Sequence, residues 1–360
     1  MRVRQTVMTL CAAAISLASL DAQSTVVELN DAGWKALRNG YTDRAAALFA
    51  EALAIRPNDA VLLLGAGAAA DAQGKHRDAM TRLQRALDLN PRLIVASRLL
   101  GQIAYNEGEV DLAIQTYERA LTYAPDDARL ASELEAWRRD AEVHRTFDER
   151  RYDQFRVLFE GREEKSLAAQ ATAVFNSAFW RIGQKLGEYP PRTIVAILYT
   201  EKQFRDITRA PEWSTGQYDG RIRVPVAGAS QNPELFERVL THELTHAMVA
   251  GIAPHGVPHW LNEGLAQHFE GADPQAAARR MKRIARSIPL QALERGFGHL
   301  GAFEAQVAYD ESLLAVEVLF DRPGFGWTRL LHRLGDGEPF EHAIKNFGFS
   351  YSDLEAPFVR

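Results

Sequence analysis

The chain has 360 residues, 46% hydrophobic and 25% charged, with a net charge of −5. That length suits two domains of ordinary size. The mild charge and the lack of a basic stripe exclude nucleic acid as a partner.

The first residues read MRVRQTVMTLCAAAISLASLDAQS. Arg2 and Arg4 precede an uncharged, apolar-rich run from Thr6 to Leu20, with small residues suited to cleavage near Ala18 or Ala22. The run is short for a bilayer span, so residues 1–22 are expected to be a removed signal peptide. The protein is then exported, periplasmic or secreted, and associates with a membrane only if this segment stays uncleaved. Cys11 is the one cysteine and follows Leu10, not the small residue that lipid attachment needs. A mature chain without thiols excludes cysteine-protease chemistry and cysteine zinc ligands.

The first third repeats with a period of 34. Gly33, Gly67 and Gly101 recur at that spacing, as do Gly40, Gly74 and Gly108. Ala45, Ala79 and Ala113 follow it, then Ala52, Ala86 and Ala120, and finally Pro57, Pro91 and Pro125. Such a register describes paired helices, with small residues where two helices touch, glycine in the turn and proline after the second helix. It resembles the tetratricopeptide repeat (TPR), with three units over about 26–127. Residues 128–147 read as a closing helix, which terminal units of such arrays need. The domain so predicted spans 23–147 and offers a concave face to a protein partner.

A second domain is expected over 148–360. QFRVLFEG (154–161) reads as a strand, residues 163–187 as a long amphipathic helix, and RTIVAILYT (192–200) as a second strand. Asp219-Gly220 marks a hairpin turn into a strand at Arg221–Val226, and Pro225 suggests that this strand is an edge. A helix then opens at Asn232, its N-cap, with Pro233 in the first turn. The fold class expected is a helical repeat solenoid followed by an α+β domain.

On that last helix lies HELTH (242–246). His242 and His246 are four apart, so both imidazoles project from one helix face and can reach a single zinc. Glu243 sits about 100° round the axis, placed to touch a water rather than to ligate. A metzincin-type third histidine fails, because Val249 and Ile252 stand at the required positions. His255 and His259 lie in the proline- and glycine-broken GIAPHGVPHW, read as a loop. Glu263, 17 residues after His246 in WLNEGLAQHF, lies on a plausible helix. It is the favoured third ligand, with His259 as the alternative. Two histidines and a carboxylate leave an open position for water on one zinc per chain.

HELTH followed by WLNEGLA resembles the gluzincins, the thermolysin-like and aminopeptidase-like zinc peptidases. The strand–helix–strand–hairpin prelude and the repeats together resemble the peptidase MA-like family with tetratricopeptide repeats. The resemblance implies that His242, His246 and Glu263 hold zinc and that Glu243 is the general base. The residues support the same chemistry, since Glu243 can take a proton from a zinc-activated water and pass it to the leaving amine. The reading is a zinc metallopeptidase acting on polypeptides, an endopeptidase by the edge strand that would hold an extended chain. The alternative is an adaptor whose second domain is a vestigial or structural zinc module. Gln267 stands where thermolysin-like enzymes carry an aspartate that orients a ligand histidine, so that support must come from elsewhere. Tyr309, in AYDES at the start of a helix predicted over 307–320, is similar to the tyrosine that donates to the oxyanion in aminopeptidase-like members. His299, in the glycine-rich RGFGHLG, is the rival donor.

Overall fold

The computed structural model describes residues 23–161, 164–190, 193–208, 216–254, 256–284 and 287–358. The expected signal peptide with Cys11, and His255, lie outside the described residues. The chain divides into two compact units, with the main boundary between Trp137 and Arg138.

The first unit is a run of paired helices: α1 (23–38), α2 (Thr42–Ile55), α3 (Ala60–Ala72), α4 (His76–Leu89), α5 (Ile94–Asn106) and α6 (Val110–Leu121), followed by α7 (Ala128–His144), whose residues from Arg138 on belong to the second unit. The 34-residue register has a steric basis. A Cβ on Gly33 would come within 2.8 Å of Phe49, one on Gly67 within 2.8 Å of Leu83, and one on Gly101 within 2.3 Å of Tyr117. Each glycine therefore receives the large side chain sixteen residues on, at the contact of its helix with the next. Gly40 and Gly74 turn the chain at φ of 75° and 71°, a region that costs other residues steric strain.

After the end of α7 the second unit continues with β1 (Phe147–Tyr152), β2 (Phe155–Glu160), α8 (Glu164–Leu186), β3 (Ile194–Tyr199) and α9 (Glu201–Thr208). The hairpin β4 (Gln217–Tyr218) and β5 (Ile222–Pro225) follows, then α10 (Pro233–Ile252), α11 (His259–Glu270) and α12 (Pro274–Met281). A 3-10 turn at Leu290–Leu293 leads to α13 (Ala302–Phe320), α14 (Trp327–Gly335), α15 (Phe340–Lys345) and α16 (Tyr351–Glu355). The five strands form one mixed sheet in the order β1-β2-β3-β5-β4, with parallel pairs β2–β3 and β3–β5 and antiparallel pairs at both ends.

One face of the sheet, including Phe155, Val157, Ala196, Leu198, Ile222 and Val224, joins the main core with α8 and α10. The other face packs Val195, Ile197 and Tyr199 against Phe204 of α9 and Val143 at the end of α7. Burial on both sides explains why β3 reads as an unbroken apolar run. No described helix is long and apolar enough to cross a membrane.

Three expectations need correction. The strand β1 was not expected, because FDERRY is polar and five of its six residues are exposed; its pairing with β2 makes it a strand. The edge assigned to Arg221–Val226 belongs to β4, since β5 lies between β3 and β4. Arg221 and Arg223 are only 1% and 2% exposed. Asp140, also buried, accepts from Arg223 Nη1 at 2.7 Å and from Arg221 Nη1 at 3.0 Å. Third, α13 begins five residues before the predicted start, so Tyr309 stands in its third turn rather than at its beginning.

Candidate metal centre

The placement of the site begins with the cap of α10. The Asn232 side chain accepts from the backbone N–H of Leu235 at 3.0 Å, and Pro233 fills the first turn as the sequence indicates. From that start Phe236, Leu240, Leu244 and Ala247 turn into the core, and His242, Glu243 and His246 face a cavity of about 530 Å³. Its other walls come from β4, α11 and α13, with Tyr218, Glu263 and Tyr309 among them. Gly264, beside Glu263, permits this convergence: a Cβ there would lie 2.4 Å from the Ser312 carbonyl of α13. Gly216 does the same for the base, since its Cβ would fall 2.6 Å from Glu243 Oε1.

One ligand atom from each of His242, His246 and Glu263 lies within 4.8 Å of the other two. Glu263 Oε2 stands 3.4 Å from His242 Nε2 and 3.7 Å from His246 Nε2. A tetrahedral ion with bonds of about 2.1 Å separates its ligands by roughly 3.4 Å, so the two Glu263 distances are in the range of a metal site. Glu243 and Glu263 are 6% and 7% exposed, and Oε2 of each has no hydrogen-bond donor among the described residues. Buried acceptors of this kind are costly unless a cation or a proton answers them. Two imidazoles, one carboxylate and a free neighbouring carboxylate therefore suit a divalent cation with an open position.

The electrostatics are mutual. Burial opposes a proton on His242, yet the carboxylates of Glu263 and Glu270 outweigh it and raise its pKa well above the usual value. Burial works against ionisation of Glu263 too, but His246 and His242 bring its pKa down to about 2. His246 is held below its ordinary value, chiefly by burial. Glu243 goes the other way, to about 7, because burial and the charges of Glu263 and Glu270 prevail over His242. These are the charges of the cation-free site; a divalent ion on the three ligand atoms would take the place of the His242 proton and favour the ionised form of Glu243.

His242 is oriented by Glu270, whose Oε2 is hydrogen-bonded to Nδ1 at 3.0 Å. No motif spacing marks Glu270, though it lies on the same helix as Glu263, two turns further on. Gln267 plays another part, donating from Nε2 to the Tyr309 carbonyl at 2.8 Å. Tyr309 is half-buried and lines the cavity, and burial together with the nearby carboxylates raises its hydroxyl pKa. His299 is exposed and is not among the residues lining the cavity. His259, expected in a loop, opens α11 at the cavity rim, with Nε2 3.4 Å from Glu263 Oε1.

The profile of the tetratricopeptide repeat matches residues 36–92 and 72–137. Residues 36–137 carry tetratricopeptide repeats. No curated protein matches the chain. Among solved structures, the first TPR of Spaghetti (RPAP3) bound to an HSP90 peptide is 21% identical, covering 33% of this chain and 97% of that one, with a TM-score of 0.32. The Sgt2 TPR domain from Aspergillus fumigatus is 24% identical over 32% of this chain and 79% of its own, at a TM-score of 0.31. The second TPR domain of human RPAP3, in complex with an HSP70 peptide, is 20% identical over 32% and 98%, at 0.31.

Proposed function

We propose that the protein is an exported zinc metallopeptidase of the gluzincin type, with a signal peptide at 1–22, a repeat array at 23–147 and a peptidase domain at 148–360. The observation that carries the reading is Glu243, a buried carboxylate with an unpaired oxygen beside three convergent ligand atoms. A purely structural zinc module has no use for a base at an open position. That argues against the adaptor reading.

His242, His246 and Glu263 would hold the ion, which supplies Lewis acidity toward a water and a substrate carbonyl. Glu243 accepts the proton of the attacking water through Oε2 and returns it to the leaving amine. Tyr309 donates its hydroxyl to the oxygen on which negative charge develops. An extended polypeptide lies in the cavity that β4, α10 and α11 line, with its scissile carbonyl toward His242, His246 and Glu263. The concave face of the array docks a protein partner or delivers the substrate.

The test is metal content together with hydrolysis of an unfolded casein substrate by the mature chain. About one zinc per chain and chelator-sensitive cleavage are expected, with both lost in Glu263→Ala. Cleavage that survives complete metal removal would overturn the reading.

A further inference from the structure

The carboxylate of Glu263 has two oxygens, and the structure gives them different neighbours. Oε2 faces His242 and His246, whereas Oε1 faces His259 Nε2 at 3.4 Å. His259 is itself held in three ways. Its backbone N–H donates to the Glu294 carbonyl at 3.0 Å, and it is the first residue of α11. Its ring stands edge-on to Phe297 at 4.6 Å, and Phe297 in turn packs edge-on to Tyr309 at 5.2 Å. His259 and Glu263 are one turn apart on the same helix, so their side chains meet without distortion.

We propose that His259 is a positioning residue that holds Oε1 of Glu263, so that the carboxylate presents Oε2 alone to a cation on His242 and His246. The proposal rests on the metal reading above and assigns a part that the ligand motif does not contain. A carboxylate free to rotate offers either oxygen, or both, to the ion. One fixed by a donor on Oε1 offers a single atom in a set geometry and keeps the remaining position open. Asn262 and Glu270 flank the other sides of the ligand set, and His259 is the described residue whose side chain meets Oε1 at ion-pair distance. It stands outside the group of three whose ligand atoms all lie within 4.8 Å, which separates holding the ligand from being one.

The test uses the full mature chain and Co2+ as a probe, with affinity read by chelator competition and coordination by visible absorption. His259→Ala is expected to weaken Co2+ binding 10- to 100-fold and to change the intensity of the absorption band. His259→Gln, whose amide donates to Oε1, should restore most of both. His259→Phe keeps the packing on Phe297 without the nitrogen and should behave like the alanine variant, so it carries the test if the alanine variant folds poorly. Wild-type affinity and band in His259→Phe would overturn the proposal. A loss as complete as in Glu263→Ala, with no recovery in His259→Gln, would make His259 a ligand and overturn it as well. If Glu263→Ala binds Co2+ as well as wild type does, or wild type binds none, the metal reading itself falls, and this role with it.

Discussion

Glu270 Oε2 is hydrogen-bonded to His242 Nδ1 at 3.0 Å, and its Oε1 accepts from Arg238 at 2.8 Å. The ionised carboxylate accepts a hydrogen bond from Nδ1–H, which leaves Nε2 as the nitrogen on the side of Glu263. Burial resists this charge, but His242 and Arg238 lower the Glu270 pKa below the usual carboxylate range.

Removal of that partner should therefore act on the metal. Glu270→Ala is expected to weaken zinc binding 10- to 100-fold in a chelator competition, with Glu270→Gln in between. Arg238→Ala should do much less, because the Arg238 side chain is 50% exposed and such pairs contribute little. Wild-type affinity in Glu270→Ala would remove it as the support of His242.

Tyr309 bears on the transition state rather than on binding. Tyr309→Phe is expected to lower kcat roughly 100-fold with zinc content and KM nearly unchanged. His299→Ala should leave kcat alone, since His299 is not part of the cavity wall. Steady-state kinetics on a small peptide separate the two; an unaltered kcat in Tyr309→Phe would remove the tyrosine from the mechanism.

Glu311 gives a prediction on stability. It is fully buried on α13, and its carboxylate accepts from the Ile288 backbone N–H at 2.9 Å. Burial first, then Glu355 and Asp310, push its pKa to about 7 against the bond from Ile288, which lowers it. The folded pKa lies above the unfolded one, so the folded state binds more protons between about pH 4.5 and 7. Its stabilising contribution is present below that window and is lost as pH rises through 7. Glu311→Gln should flatten this slope: relative to wild type its Tm should rise between pH 5 and 8. Parallel Tm profiles for the two proteins would contradict the assignment.

Much of the site was legible because it rests on local spacing. The i, i+4 histidines, the Asn232–Pro233 cap and the helical setting of Glu263 are all properties of contiguous residues. The repeats were legible for the same reason, since each glycine answers a large residue at fixed separation. What was not legible depends on distant partners. The strand β5 is interior, and Asp140, more than eighty residues earlier, pairs with Arg221 just before it and Arg223 on it, Asp219 pairing with Arg223 as well. A pair of arginines on a strand otherwise reads as a solvated face. Likewise β1 is a strand through its pairing with β2, not through its polar sequence. Gly216 and Glu270 matter through what they touch on α10, which no motif spacing reveals.

The most direct measurement is turnover of an unfolded polypeptide by Glu243→Gln, with its zinc content determined on the same sample. The amide keeps the size of the side chain and its place against Gly216, but cannot accept a proton from water. The account predicts about one zinc per chain, as in wild type, a wild-type Tm, and hydrolysis reduced at least 100-fold. Near-normal turnover at full zinc occupancy would contradict it.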